Sequence, residues 1–309
     1  MKLVGTGSYL PKTVYDNKYF EGIVETSDEW ITERTGIKER HILKNERSTN
    51  MATRAAWAAI KDAGIDKKDI GAVVCATITP DELTPNMGCC VIEELGIECP
   101  AFDVNAACTG FLYAIKAATA FVEEGRYVLV IGCETLSKIT DYEDRSTCVL
   151  FGDGAGAAVF GSGDGLRYIE VNAYGDKERV LRVGNIDYTD PDVPKYIKMD
   201  GQDVFKFATR EFGKLASRAM KKTGLEPDDI NVVIPHQANL RIIQYAEKKL
   251  KMSSDKFFVN VDKVGNTSAA SIAIALDEAR KSGWAGKGDK VMLLGFGGGL
   301  TSGVCILDI

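Results

Sequence analysis

Short apolar runs alternate along the chain with segments that show helical periodicity. The runs "GAVVCATI", "YVLVIGC" and "KVMLLGF" are rich in Val, Leu and Ile and are bounded by glycine or by charged residues. Continuous apolar runs of this length are typical of strands covered on both faces. The segments "TNMATRAAWAAIKDAG" and "TGFLYAIKAATAFVEEG" predict helices, and Gly125 is the predicted end of the second. The alternation predicts an α/β fold built in layers.

An internal repeat relates the two halves of the chain. The segment "IKDAGIDKKDIGAVV" at 60–74 resembles "MKKTGLEPDDINVVI" at 220–234, and each half ends in a glycine-rich turn and a final strand. Any unit of helix, glycine and strand resembles another to some degree, but the shared order of elements favours a duplicated fold. The predicted halves are 1–163 and 164–309, and functional residues are expected where they meet.

Composition narrows the class of protein. A net charge of −6 argues against general nucleic-acid binding, and no apolar run approaches the ~18 residues of a membrane span. The start "MKLVGTGSYLP" predicts a first strand and not a signal peptide. Eight cysteines without C-x-x-C spacing, and only two histidines, argue against a zinc knuckle, a redox dithiol or a three-histidine metal site. We therefore expect no metal, and free thiols in a reducing cytoplasm.

Three polar residues stand at predicted junctions between a strand and a helix. Cys108 follows "AFDVN", His236 follows "VVIP", and Asn266 follows Gly265. Unpaired N–H groups and the helix dipole at such a junction stabilise a thiolate, and polar residues just past strand ends line the crevices of α/β sheets. A lone Cys or His is more often structural, but the three together predict a Cys–His–Asn set that forms an acyl-enzyme.

The glycine-rich segments do not predict a dinucleotide site. Neither "GTGSYLP" nor "GFGGGLTSG" has the G-x-G-x-x-G spacing or leads from a strand into a helix. The glycines at 297–299 allow a backbone N–H to approach a ligand closely, which favours an oxyanion hole.

Six segments together resemble the β-ketoacyl-acyl-carrier-protein synthase III family, the initiating condensing enzymes of the thiolase superfamily. They are "TSDEWITERTGIKERH" (26–41), "AACTGF" (106–111), "DRSTCVLFGDGAGA" (144–157), "PHQANLRI" (235–242), "GNTSAAS" (265–271) and "GFGGGLTSG" (295–303). The resemblance implies a thiolase-like α/β fold, internally duplicated with five α-β-α-β-α layers, and a homodimer. It also implies condensation of an acyl-CoA primer, expected to be acetyl-CoA, with malonyl-acyl carrier protein. The CoA thioesters are substrates, so no cofactor is expected.

The resemblance gives the three junction residues their expected roles. Cys108 takes the acyl group from acyl-CoA, and His236 and Asn266 bind the thioester carbonyl of malonyl-acyl carrier protein while carbon dioxide is lost. The backbone N–H groups of Cys108 and Gly298 form a second oxyanion hole. Asn266 stands where elongating relatives carry a second histidine, which indicates the initiating type.

The resemblance also assigns binding residues. Those expected to hold CoA and its pantetheine arm are Thr26, Trp30, Arg34, Arg145, Gly201, Phe205, Asn239 and Arg241. Those expected in the primer pocket are Thr84 and Leu136. Those expected to dock the acidic carrier protein are Lys206, Arg241, Lys248 and Lys249. Spacing alone also offers a basic stripe on one helix face, which could equally be a solvated surface: Lys206, Arg210, Lys214, Arg218 and Lys222.

Two positions depart from the best-known members of the family. Thr84 stands where many carry a Phe that closes the partner subunit's acyl pocket, and Ser302 replaces a common Trp. The smaller Thr84 leaves room for a longer or branched primer. Two alternatives stay open: a secondary-metabolism relative that uses another acceptor, and a non-catalytic subunit that binds carrier protein. Retention of Cys108, His236 and Asn266 argues against the second.

Overall fold

The strands follow the predicted alternation with helices. A computed structural model describes residues 1–184 and 193–309 of the chain. Its strands are β1 (Lys2–Tyr9), β2 (Thr13–Asp16), β3 (Glu39–Ile42), β4 (Ile70–Ala76), β5 (Ala101–Val104), β6 (Tyr127–Thr135), β7 (Asp153–Gly161), β8 (Leu166–Ala173), β9 (Leu181–Arg182), β10 (Lys198–Met199), β11 (Val232–Pro235), β12 (Lys290–Gly297) and β13 (Thr301–Asp308).

The α-helices of the described residues fall between these strands. They are α1 (Asn17–Glu21), α2 (Asp28–Thr35), α3 (Ser48–Ala63), α4 (Met87–Leu95), α5 (Gly110–Ala118), α6 (Arg145–Cys148), α7 (Gly201–Thr223), α8 (Leu240–Leu250), α9 (Val261–Val264) and α10 (Ser271–Lys281). No helix among them combines the length and the apolar character needed to cross a membrane.

Two sheets of the same topology carry the fold. The first has the strand order β1-β7-β6-β4-β5, with β4 parallel to β5 and β6 and with β7 antiparallel to both of its neighbours. The second has the order β11-β12-β13-β8, with β11 parallel to β12, and a bridge from Val233 to Phe257 continues it beyond β11. Strands β11, β12, β13 and β8 therefore repeat β4, β6, β7 and β1, which confirms the duplicated fold.

Helices fill the central layer and the two outer layers. Apolar side chains of α5 and α10 pack between the two sheets, where Phe111 and Ile272 are fully buried. Helices α3 and α4 cover the outer face of the first sheet, and α7 and α8 cover that of the second. Each sheet is thus covered on both faces, which is why its strands are continuously apolar and not alternating. The expected five layers of the thiolase-like fold are confirmed.

The repeat extends to local structure. Helices α3 and α7 both end at a glycine in the left-handed region, Gly64 at φ +66° and Gly224 at φ +70°. A 3₁₀ turn then leads into the parallel strand in each half, at Lys67–Asp69 and at Pro227–Asp229. The two sheets separate between Gly161 and Leu166, next to the predicted division at 163 and 164. That division stays a prediction, because both halves pack around one central layer.

The predicted end of the second helix is wrong. Helix α5 ends at Ala118, and Gly125 lies in a turn before β6 at φ +76°. The hydroxyl of Thr119 donates to the Lys116 carbonyl at 2.7 Å, so it takes up a helix-terminal acceptor. A side chain that bonds the last turn in this way competes with continuation of the helix.

Close packing of α10 on the first sheet depends on glycine, and we expect a Gly156→Ala substitution to destabilise the fold. A Cβ at Gly156 would lie 2.5 Å from Ala273 Cβ and 2.6 Å from the Ile274 nitrogen, so strand and helix would have to separate. Overpacking of this kind costs about 1–3 kcal/mol of unfolding free energy, measured by denaturant unfolding at fixed protein concentration. Gly175→Ala is the matched control, since a Cβ there meets nothing within 4 Å. Equal midpoints for the two variants would contradict the packing argument.

Candidate active site

Cys108 lies in a strained turn between β5 and α5. The turn is the 3₁₀ segment Ala107–Thr109, and Ala107 adopts φ +45°, a region that few residues other than glycine enter. The Thr109 hydroxyl donates to the Ala106 carbonyl at 2.7 Å and lies 2.6 Å from the hydroxyl of Thr301. The turn is therefore bonded to the first residue of β13, directly after the glycine-rich loop.

Burial decides the charge of the Cys108 sulfur. Burial raises the pKa of this thiol to about 12, although a hydrogen bond with the Ser268 side chain acts in the opposite direction. The negative charge of Glu134 raises the pKa further. The thiolate expected from the sequence is therefore not the resting form, because loss of solvation outweighs the helix terminus. The resting nucleophile is a neutral thiol that needs a proton acceptor.

His236 is a buried, neutral imidazole. Its backbone N–H donates to the Leu294 carbonyl at 2.7 Å, and its Nδ1 lies 2.6 Å from the Ser271 hydroxyl. Burial lowers the pKa of His236 to about 3. The Gln237 N–H donates to the Ser271 oxygen at 3.3 Å, which favours a Ser271 hydroxyl that donates to Nδ1 and leaves the proton on Nε2. Nε2 has no hydrogen-bond partner among the described residues.

Asn266 is held so that its amide nitrogen is the free end. Its backbone N–H donates to the Leu150 carbonyl at 2.9 Å, and its carbonyl accepts from the Gly152 N–H at 3.0 Å. The side-chain Oδ1 accepts from the Ser268 N–H at 2.9 Å. Because the oxygen is occupied by a backbone donor, Nδ2 is the atom left to donate to a ligand.

Shared neighbours bring the three residues to one place. Ser268 lines the same cavity as Cys108 and bonds to Asn266, and Ser271, one helical turn further along, holds His236. A Cβ at Gly297 would lie 2.8 Å from the Cys108 nitrogen, so the end of β12 passes directly beside the nucleophile. The neighbouring Phe296 ring packs at 5.2 Å from the His236 ring.

A cavity of about 770 Å³ opens beside Cys108. Its lining includes two further predicted residues, Leu136 and Gly298, and also Phe151 and Ser268. Thr84 lies on the exposed loop before α4, and the neighbouring Leu83 lines the cavity in its place. The role of Thr84 in a partner subunit's pocket stays a prediction.

The residues predicted to hold the adenine end of CoA form one cluster. The guanidinium carbon of Arg145 lies 4.2 Å from the Trp30 ring centroid, and that of Arg34 lies 5.4 Å from it. The Asn239 amide donates to the Arg34 carbonyl at 3.0 Å, which links this cluster to the start of α8.

The other predicted contacts for the pantetheine arm lie on neighbouring elements. Gly201 is the first residue of α7. Phe205 is partly exposed and packs edge-on against Tyr245 at 6.3 Å. The Thr26 hydroxyl is buried and has no hydrogen-bond partner among the described residues.

The basic side chains predicted for docking lie on two adjacent helices. Lys206 on α7 and Arg241, Lys248 and Lys249 on α8 are exposed, and the Lys249 stem packs on Gly213 of α7. Lys206 pairs with Asp203 at 2.8 Å. In the part of the chain that the structure describes, the three α8 cations form no salt bridge.

The rest of the α7 stripe is partly neutralised. Arg210 pairs with Glu211 at 2.9 Å, and Arg218 pairs with Glu170 at 2.5 Å. Glu211 is the next residue of α7, and Glu170 lies on the adjacent β8. Part of the basic stripe is therefore engaged in ion pairs within the fold. The α8 cations are therefore the better candidates for docking an acidic partner.

Sequence reasoning missed Glu134 and Ser268. Glu134 is fully buried at the end of β6, and its carboxylate accepts hydrogen bonds from Ser268 and from the loop after β4. The one signal was a carboxylate at the end of an apolar run, "YVLVIGCE", since such residues are rarely buried without a reason. Ser268 lay inside the quoted segment "GNTSAAS" and was passed over for its neighbour Asn266.

Comparison with known proteins matches one family along the chain. Residues 102–176 match the family described as 3-oxoacyl-[acyl-carrier-protein (ACP)] synthase III, and residues 220–309 match its C-terminal part. Beta-ketoacyl-[acyl-carrier-protein] synthase III of Clostridium acetobutylicum is 43% identical over 99% of this chain and 98% of its own length. The protein of the same name from Clostridioides difficile is 46% identical over 99% and 97%.

A solved structure agrees with these relatives. The crystal structure of 3-oxoacyl-[acyl-carrier-protein] synthase III from Aquifex aeolicus has a TM-score of 0.94 and 45% identity, covering 100% of this chain and 99% of its own.

We expect the His236 ring to stay neutral across the physiological range. With a pKa lowered from 6.5 to about 3 by burial, the native state holds the neutral form, whereas the unfolded chain takes up a proton below about pH 6.5. Proton uptake by His236 in the unfolded chain therefore lowers the free energy of unfolding as the pH falls below about 6.5. NMR titration of the ring protons measures this directly, and a His41→Gln variant assigns the two histidines. A titration midpoint above pH 5.5 for the His236 ring would contradict its full burial.

Proposed function

The chain belongs to the 3-oxoacyl-[acyl-carrier-protein] synthase III family, the acyltransferases that initiate fatty-acid synthesis, and we propose that Cys108, His236 and Asn266 carry its condensation reaction. One observation supports this assignment above the others. His236 Nε2 and Asn266 Nδ2 are neutral donors whose opposite ends are already held, by Ser271 and by the Ser268 backbone. Such a pair suits a carbonyl oxygen that gains negative charge.

The first half-reaction transfers the primer to the enzyme. The Cys108 sulfur attacks the carbonyl carbon of an acyl-CoA thioester, a new thioester forms on the cysteine, and CoA leaves as the thiol. The backbone N–H groups of Cys108 and Gly298 stabilise the oxyanion of the tetrahedral intermediate. Gly298 lines the same cavity as the sulfur, which supports its part in this hole.

The second half-reaction uses the two neutral donors. His236 and Asn266 donate hydrogen bonds to the thioester oxygen of malonyl-acyl carrier protein, and the enolate charge develops there as carbon dioxide leaves. One preorganised donor of this kind is typically worth about 3–4 kcal/mol of barrier. The enolate carbon then attacks the carbonyl carbon of the acyl-cysteine, and the C–S bond to Cys108 breaks. β-Ketoacyl-acyl carrier protein leaves, and the Cys108 sulfur takes up a proton from solvent to restore the thiol. The chain supplies every group these steps need, so the mechanism requires no cofactor.

Substrate binding is divided between two surfaces. Trp30 and Arg145 hold the adenine of CoA: the Arg145 guanidinium, which stacks on the Trp30 ring at 4.2 Å, moves aside so that the base can stack on the indole. Exposed Arg241, Lys248 and Lys249 attract the acidic carrier protein against an overall charge of −6. Acetyl-CoA is the proposed primer, and the cavity beside Leu136 leaves room for longer chains. The proposed assembly is a cytoplasmic homodimer.

Measuring the two half-reactions separately in variants of His236 and Asn266 tests the proposal. We expect His236→Ala and Asn266→Ala to accept an acetyl group on Cys108 but to lose decarboxylation of malonyl thioester by about 100-fold or more. Intact mass spectrometry after mixing with acetyl-CoA measures acylation, and carbon dioxide release measures decarboxylation. Cys108→Ser is the control for the adduct. Normal carbon dioxide release in either donor variant would overturn the division of roles.

The CoA assignment is tested at Trp30. We expect Trp30→Ala to raise KM for acetyl-CoA about tenfold with little change in kcat, because stacking of the base is lost from the ground state and the transition state equally. The exposed Trp284, which packs on Phe258, gives the matched control Trp284→Ala. An unchanged KM for Trp30→Ala, or an equal rise in the control, would argue against the adenine site.

A further inference from the structure

The neutral Cys108 thiol has a hydrogen-bonded route to a buried carboxylate. Ser268 and Cys108 line the same cavity, a hydrogen bond from the Ser268 side chain lowers the pKa of the thiol, and the Ser268 hydroxyl donates to Glu134 Oε1 at 3.3 Å. Ser268 adopts φ +46° and is buried, so a strained backbone keeps its hydroxyl between the two groups. The Ser268 hydroxyl therefore lies between the cavity of the nucleophile and the Glu134 carboxylate.

The other hydrogen bonds to Glu134 also show that its carboxylate is an acceptor. The Thr79 hydroxyl accepts from the Thr135 N–H at 2.8 Å, and therefore donates its own proton to Glu134 Oε2 at 2.5 Å. The Ile78 N–H donates to the carboxylate at 3.1 Å, and the Thr77 hydroxyl, which itself accepts from the Thr79 N–H, lies 3.4 Å from it. Every one of these neighbours donates, so Glu134 is built to accept.

We propose that Glu134 is a positioning residue for the first half-reaction, which holds the Ser268 hydroxyl against Cys108 and takes up the thiol proton through it. The inference rests on the proposed function, since it supplies the acceptor that the buried thiol needs. As sulfur attacks the acyl thioester, the thiol proton passes to Ser268 Oγ and the Ser268 proton passes to Glu134. When the tetrahedral intermediate collapses, the C–S bond to CoA breaks. The proton returns by the same route, directly or through water, to the departing CoA sulfur.

The other candidate acceptor is less suitable. Burial keeps His236 a weak base, and its Nδ1 is already engaged by Ser271. Burial raises the pKa of Glu134 to about 7 although several hydrogen bonds oppose it, so the carboxylate is a far stronger base than an exposed one and about half of it is ionised at pH 7. A base with a pKa near the working pH transfers protons most effectively.

The surroundings of Glu134 contain few other titrating groups. Three thiols feel its charge: Cys75 on β4, Cys133 on β6 and Cys108 itself, and burial raises the pKa of each. Within residues 1–184 and 193–309, no lysine or arginine forms a salt bridge with Glu134. An inflection near pH 7 in Cys108 acylation would therefore report on Glu134.

The experiment is the pH profile of Cys108 acylation by acetyl-CoA in single turnover, read by intact mass. In the wild type we expect the acylation rate to fall as the pH drops below about 7, because protonated Glu134 no longer accepts the thiol proton. In Glu134→Gln we expect the rate at pH 8 to fall about 100-fold and the inflection to disappear. Decarboxylation of malonyl thioester should stay within about threefold of the wild type, because the Ser268 N–H still holds Asn266.

Asp153→Asn is the matched control. Asp153 is also fully buried on the first sheet, accepts from the Leu43 N–H and the Ser137 hydroxyl, and has a pKa raised by burial. It has no bond to Ser268 among the described residues, so this variant should keep the inflection. If Glu134→Gln is acylated slowly but keeps the inflection near pH 7, the role of Glu134 is merely structural and the proposal is overturned. Acylation of Glu134→Gln at the wild-type rate would also overturn it.

Two further measurements keep the test decisive. If Glu134→Gln does not fold, Ser268→Ala takes its place and must lose both rate and inflection for the proposal to stand. Alkylation of Cys108 by iodoacetamide, followed by peptide mass, reports formation of the thiolate without any substrate. Wild-type protein that is never acylated would refute the proposed function. An alkylation profile identical in wild type and Glu134→Gln would refute the role of Glu134.

Discussion

The contact between two strained turns holds the active site together. Ala107–Thr109 precedes α5 and Ser268–Ala270 precedes α10, and both helices lie in the central layer between the sheets. Each turn contains one residue at positive φ, Ala107 at +45° and Ser268 at +46°. These conformations cost free energy and persist only because the surrounding layers enforce them. A Cβ at Gly110 would lie 3.2 Å from Ala269 Cβ, so the two turns are in close contact and leave no space for a larger side chain between them.

The electrostatics of the site follow from this burial. The thiol and the imidazole are neutral at rest, because removing charge from water costs more than the few hydrogen bonds nearby return, and the Asn266 carboxamide does not titrate. Glu134 is the exception, since a ring of donors partly replaces its hydration. A neutral site with fixed donors suits a reaction in which negative charge appears on an oxygen and then disappears, because no resident charge has to be displaced.

The hydrophobic pattern was sufficient to predict the layers, the repeat and the strand-to-helix junctions at Cys108 and His236, whereas Asn266 follows helix α9 and not a strand. These features depend on periodicity and on strand-to-helix junctions, which are local properties of the sequence. The end of α5 and the neutral state of the thiol were not predictable in this way. The first depends on one Thr119 hydroxyl, and the second depends on burial by both halves at once. Glu134 was missed for the same reason: its donors come from the loop after β4 and from the turn before α10, which only the fold brings together.

Duplication supplies the scaffold, and divergence between the copies supplies the chemistry. In the first copy the strained turn carries Cys108, whereas in the second the residue after the strained position is Ala269, whose small side chain lets Gly110 approach. The polar function of the second turn moves instead to Ser268 and Asn266, on either side of Thr267. One copy therefore presents a nucleophile and the other presents donors, across an interface that the shared fold already matches in shape. A condensation needs just this pairing, since different groups must hold its two reacting carbons about 3–3.5 Å apart before the bond forms.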